Sequence, residues 1–127
     1  YSEKVYERQD EVLSTVESPQ YNWDAIHEGM KEVINSPLNE TNYLNFYDCA
    51  VTVAGKTGTA QKGEGIKNDG LFICYAPYED PEIAVAVVVE RGHAGASVGF
   101  IARQIVDVYL NIRSYSNTSE SEMSLLK

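Results

Sequence analysis

The sequence predicts an α+β domain, an antiparallel β-meander of three or more strands flanked by helices. Three observations predict it. Strand-like segments follow one another across short turns between residues 50 and 92. Connections that short make consecutive strands antiparallel neighbours. Stretches with apolar residues at three-and-four spacing lie before and after them, as amphipathic helices require.

Taken in order, residues 1–17 (YSEKVYERQDEVLSTVE) are polar with scattered valines and read as a weak strand or extended arm. Ser18-Pro19-Gln20 breaks the pattern. A helix follows over NWDAIHEGMKEVINSP. Asn22 is its expected N-cap, and Asp24 and Glu28 lie toward its positive end. Trp23, Ile26, Met30, Val33 and Ile34 form its apolar face, and Pro37 stops it. Residues 35–48 read as a long loop. A first strand covers 50–61, and the glycine-rich KGEGIKND turn leads to a second over 70–77. The YEDP turn leads to a third over 82–92. That third strand is apolar on both faces, which predicts a strand buried between two layers. The final helix spans 97–112. Ser97 caps it, and Val98, Ile101, Ile105, Val108 and Ile112 form one stripe. Residues 114–127 are polar and read as a disordered tail.

The 127 residues make one domain's worth of chain, with a net charge of −9. That charge argues against nucleic acid and anionic membrane surfaces as partners. The acidity is uneven: residues 1–48 carry −7 and residues 49–127 carry −2. No apolar run reaches the roughly 18 residues of a membrane span, and no signal peptide is visible. The first residue is Tyr1 rather than Met, which suggests a processed or excised piece. Two cysteines, Cys49 and Cys74, do not make a disulfide framework, and their redox state stays open. His27-Glu28-Gly29-Met30-Lys31 opens like a zinc-protease helix but has Lys31 where the second histidine belongs. No metal and no cofactor is expected.

One stretch carries chemistry. VTVAGKTGTAQKGEG, residues 51–65, contains both Gly-Lys-Thr and Lys-Thr-Gly. A P-loop needs a glycine separated by four residues from Gly55-Lys56-Thr57 and a helix after it. Ala50 stands at the glycine position, and the residues after Thr57 start no helix. Both tests fail. The Lys-Thr-Gly reading fits a strand that runs into a turn and a second strand. Lys56 is then a fixed cation that steers an anionic substrate and biases proton transfers. The hydroxyls of Thr57 and Thr59 can hydrogen-bond a carboxylate. Gly58 has no Cβ, so a ligand can lie flat against the strand.

VAGKTGTAQ, NDGLFICYAPYEDPEIAVAVVVERG and GASVGFIARQIVDVYL, in that order, closely resemble the end of the transpeptidase domain of class B penicillin-binding proteins. WDAIHEGMKEVINSP resembles the helix that precedes the Lys-Thr-Gly strand there. Members of this family are membrane-anchored D,D-transpeptidases that cross-link peptidoglycan. The resemblance implies a partial serine β-lactamase/transpeptidase-like fold over residues 1–113, the C-terminal part of that domain. It implies that Lys56 and Thr59 are catalytic, Lys56 through the proton network and Thr59 through a backbone N–H in the oxyanion hole. It implies that Thr57, Gly58 and Thr59 bind substrate, the peptidoglycan stem peptide ending in D-Ala-D-Ala, or a β-lactam. It implies the extracytoplasmic face of the cell membrane as the location. The same strand occurs in β-lactam-sensing receptors and β-lactamase relatives, and a non-catalytic binding or assembly domain remains the alternative.

The nucleophile's signature is not found upstream of Lys56. No Ser-x-Asn occurs, and the one Ser-x-x-Lys is Ser124-Leu125-Leu126-Lys127 at the C-terminal end. A serine in a polar tail cannot be held against its base and oxyanion donors. The isolated chain is therefore expected to be inactive. Strands that the family's five-stranded sheet would supply are also missing, so exposed strand edges predict self-association.

Overall fold

The computed structural model describes residues 11–124. Residues 11–19 have no regular structure, and the remainder of the expected N-terminal arm lies outside the described residues. Helix α1 spans Gln20–Asn35, α2 Glu40–Phe46, and the strands β1 Ala54–Ala60, β2 Asp69–Ala76 and β3 Ile83–Val89 follow. A 3₁₀ turn, Gly95–Val98, leads into α3, Gly99–Ser124. The expected meander is present: β1 pairs antiparallel with β2, and β2 with β3, in the order β1-β2-β3.

One face of this sheet carries the core. Phe72, Cys74 and Ala76 of β2 and Val85 and Val87 of β3 are buried against Val98, Ala102 and Val106. Ile34 at the end of α1, with Val53 and Ala54, closes the β1 side. Backbones approach closely there: a Cβ on Gly55 would stand 2.6 Å from the Ile73 carbonyl oxygen and 3.1 Å from Ile34 Cδ1.

Five local expectations are corrected. Helix α1 is capped at Pro19 rather than Asn22, whose Nδ2 instead donates to Ser18 Oγ at 2.9 Å. A pyrrolidine ring already holds φ near the helical value, so the chain enters the helix at Pro19. Residues 40–46, expected as loop, form α2. A seven-residue helix is not stable by itself, so no local signal announces it. Its anchor is tertiary: Phe46 is buried and stacks on Phe72, ring centroids 5.8 Å apart.

Strand β3 is buried on one face only. Ala84, Ala86 and Val88 are exposed, Val88 at 67%, because among the described residues both α3 and the 3₁₀ turn pack on the opposite side. The buried line runs from Val98 of the 3₁₀ turn to Ala102 and Val106 of α3; of the expected stripe Val98 is buried and Ile101 packs against the core, but Ile105 and Val108 are exposed. Small side chains let the helix sit close to Phe72, which lies 3.2 Å from a Cβ built on Gly99. Finally, α3 continues to Ser124 through most of the tail expected to be disordered. Extending an existing helix adds one hydrogen bond per residue fixed and avoids the cost of a new nucleus.

Candidate functional site

Among the described residues β1 is an edge of the sheet, so its outward-facing backbone N–H and C=O groups have no β-partner there. The strand continues through Ala60 with no helix after Thr57, as the rejection of a P-loop requires. Alternation along the strand divides the Lys-Thr-Gly-Thr residues between two faces. Lys56 and Gly58 lie opposite Ile73 and Leu71, on the bare face. Thr57 and Thr59 lie opposite Phe72 and Gly70, on the helix-covered face. Lys56 is exposed, and its Nζ donates to the carbonyl oxygen of Thr57 at 2.7 Å. Thr57 is half-buried and Thr59 exposed. Gly58 has a packing role too: an added Cβ would come within 3.3 Å of Leu71 Cβ.

Thr59 is held from one side. Its Oγ1 accepts a hydrogen bond from the Gly95 N–H at 3.3 Å. A hydroxyl carries one donor and two acceptor positions, so this contact orients the side chain and leaves its O–H able to donate. Gly95 itself is wedged over β1 and β2. A Cβ there would fall 2.3 Å from the carbonyl oxygens of both Gly58 and Leu71.

The loop that carries Gly95 is tethered through Asp69. The Asp69 carboxylate accepts from the Arg91 N–H at 2.8 Å and pairs with Lys62 at 2.7 Å, and Glu90 lies 3.9 Å from the same Lys62. The Lys62 hydrogen bond, then the Arg91 N–H, hold this carboxyl below the ordinary range. Arg91 and His93 have φ of 55° and 67°, left-handed values unusual outside glycine. A second tether fixes the approach to β1. Arg103 of α3 reaches Asp107 at 2.8 Å, Asp48 at 2.7 Å and the Asn45 carbonyl oxygen at 3.1 Å.

Two hollows meet at Thr57. One, of about 230 Å³, is lined by Lys56, Thr57, Gly58, Leu71, Phe72 and Ile73. The other, of about 310 Å³, lies between α2, Thr57 and Ala96. The residues of α2 and of the 3₁₀ turn were missed from the sequence. Gly95 and Ala96 sit between a strand and a helix with only a Gly-Ala-Ser pattern to mark them, and α2 read as loop.

The other reactive side chains are structural. Cys49 and Cys74 are free, and burial pushes the Cys74 thiol up to about 11, out of reach of thiolate chemistry at neutral pH. His27 meets the Tyr75 hydroxyl at 2.6 Å. Glu28 pairs with Lys31 at 2.7 Å and accepts from the Tyr78 hydroxyl at 3.1 Å. These contacts tie α1 to the end of β2. Among the described residues no group of three or more His, Cys, Asp and Glu side chains is arranged to hold a metal ion, and no helix is long and apolar enough to cross a membrane.

An edge strand bearing Lys-Thr-Gly-Thr, a meander behind it and a C-terminal helix across the meander define a class. The family model for the penicillin binding protein transpeptidase domain matches residues 2–107, and the chain belongs to that family. The peptidoglycan D,D-transpeptidase MrdA of Haemophilus influenzae is 37% identical, over 72% of this chain and 16% of that protein. The crystal structure of Pseudomonas aeruginosa PBP2 in complex with WCK 5153 matches with a TM-score of 0.66 at 30% identity, covering 83% of this chain and 23% of that one. Penicillin-binding protein A from M. tuberculosis, as its imipenem acyl-enzyme complex, matches with a TM-score of 0.55 at 29% identity, over 68% and 19% of the two chains. The chain therefore spans about one sixth of the length of the curated MrdA relative. The expected partial transpeptidase fold of the class B penicillin-binding proteins is present.

Proposed function

We propose that β1 is one wall of the active site of a D,D-transpeptidase that cross-links peptidoglycan stem peptides by acyl transfer through a serine ester. The observation that carries this reading is the exposed edge at residues 56–59. Lys56 supplies a cation beside a hollow that Thr57 and Gly58 also line. The Thr57 and Thr59 hydroxyls receive the terminal carboxylate of a D-Ala-D-Ala stem peptide, or of a β-lactam that mimics it. A strand-edge N–H at Thr59 contributes to the oxyanion hole, where a donor aimed at developing charge lowers the barrier most. Lys56 biases the proton network and the local potential. The imipenem acyl-enzyme complex of M. tuberculosis penicillin-binding protein A supports the β-lactam half of the reading.

The attacking serine is supplied from outside this chain's edge strand, and the working enzyme sits at the extracytoplasmic face of the cell membrane. Among the described residues the β1 and β3 edges are open, and the bare sheet face leaves Ile73 and Val88 exposed. The chain self-associates through them.

The test is made in the intact protein that contains this chain. Thr57→Val and Lys56→Ala are expected to slow acylation by a fluorescent penicillin by 10²-fold or more, roughly the worth of an oriented charged hydrogen bond in a site of this kind. Acylation at the wild-type rate in both variants overturns the assignment.

A further inference from the structure

The hollow between α2, β1 and the 3₁₀ turn shares Thr57 alone with the carboxylate grip. Its walls are Asn39, Glu40, Thr41, Asn42, Thr57 and Ala96. Asn42 is 6% exposed, and its side-chain Oδ1 is the buried polar atom left without a hydrogen-bond partner among the described residues. Buried polar groups are paired in the large majority of cases, and an unpaired acceptor asks for a donor. The rest of the lining agrees. Glu40 contributes a carboxylate, Thr41 and Thr57 contribute hydroxyls, and no lysine or arginine is among the lining residues. Such a wall is complementary to a ligand rich in N–H donors and carrying positive charge. An anion is disfavoured beside Glu40.

The position of this hollow gives the ligand a role, which rests on the transpeptidase reading above. Thr57 lines both hollows, so a molecule held here lies beside the carboxylate grip. In acyl transfer the first step releases the terminal D-alanine as an amine, while its carboxylate is on the threonines. In the second step an acceptor amine attacks the ester. The new bond joins the amine nitrogen to the acyl carbon, the bond from that carbon to the serine oxygen breaks, and the proton on nitrogen passes to that oxygen. The second step is the chemical reverse of the first with a different amine. By microscopic reversibility the acceptor enters where D-alanine left, on the side of the carboxylate grip. We propose that the hollow beside Thr57 docks the amine-bearing arm of the acceptor peptide. Asn42 Oδ1 and the Glu40 carboxylate receive its N–H donors.

The experiment uses the 127-residue chain labelled with ¹⁵N and followed by amide and side-chain correlation spectra. Nα-acetyl-lysine amide is the amine probe, its Nε-acetylated form the uncharged control, and D-Ala-D-Ala the carboxylate probe. The amine probe is expected to shift the Asn42 side-chain NH₂ and the Thr57 and Ala96 amides. The control is expected to bind at least threefold more weakly. Glu40→Gln, at an exposed position that folding tolerates, is expected to weaken the amine probe at least threefold, and Asn42→Asp to tighten it. Equal binding of probe and control, or shifts that map away from α2 and Thr57, overturns the proposal. Shifts from D-Ala-D-Ala at Thr57 and Thr59 with no response to the amine overturn the acceptor site alone and leave the carboxylate grip standing. Silence from both probes removes both.

Discussion

Replacing Gly95 by alanine tests how tightly the 3₁₀ turn seats on the Lys-Thr-Gly strand. The added Cβ would lie 2.3 Å from two carbonyl oxygens, those of Gly58 and Leu71, and 2.7 Å from the Gly58 nitrogen. These atoms belong to paired strands and cannot rotate away, as a flexible side chain could. The turn must lift by about 1 Å to restore ordinary contact distances. Lifting it breaks the hydrogen bond from Gly95 to Thr59 and partly exposes Val98, which is 4% exposed in the native fold. Overpacking costs about 1–3 kcal/mol, and partial exposure of a buried valine adds about 1 kcal/mol. The expected loss is about 3 kcal/mol, which lowers Tm by roughly 10–15 °C for a chain of this size. Urea unfolding followed by circular dichroism reads it as a fall of about 2 M in the midpoint. The same chemical change at Gly29, on the exposed side of α1, meets nothing within 4 Å. There it is expected to stabilise by about 0.5–1 kcal/mol, the helix preference of alanine over glycine. A Gly95→Ala midpoint within about 0.5 kcal/mol of wild type, a scatter ordinary for surface changes, would refute the seating of the turn on β1.

Phe72→Ala removes a fully buried ring stacked on Phe46 and is expected to cost about 3–5 kcal/mol in urea unfolding, with the signals of α2 lost first. The pH dependence of stability has a sign fixed by Asp69. Its folded-state pKa is lowered by Lys62 and the Arg91 N–H. It therefore contributes stability above the ordinary carboxylate range that is lost as pH falls through the folded value. Asp69→Asn should flatten the acid limb of the stability curve below about pH 4 and also the alkaline limb above the ordinary lysine range, because Asp69 holds the Lys62 ammonium above its usual value and that stabilisation is lost as pH rises through the folded value. An acid limb identical to wild type would remove the tether from consideration. The isolated chain should form no denaturation-resistant adduct with a fluorescent penicillin; a stoichiometric labelled band in denaturing electrophoresis would show a nucleophile in this chain. Light scattering at rising concentration should report a growing mass, and a constant monomer mass would count against association through the β1 and β3 edges.

Lys56-Thr57-Gly58 and the strands around it were legible because both signals are local. A strand repeats every two residues, and a motif is a string. Helix α1 was legible for the same reason, through its three-and-four spacing. Helix α2 was not, since Phe46 earns its place only against Phe72, a residue 26 positions away in the chain. The division of the motif followed from strand alternation. Which face each half meets did not, since that depends on where α3 lies. The unpartnered Oδ1 of Asn42 was equally hidden, because burial of one atom is a property of all its neighbours.

The antiparallel meander and the Lys-Thr-Gly string on its first strand are written in the chain, since periodicity and residue type act over a few positions. Tertiary structure alone decided which side of β3 is covered, which line of α3 is buried, and that Gly95 is wedged against Gly58 and Leu71. Those outcomes depend on contacts between distant segments, where close packing leaves room for one side chain and not for another.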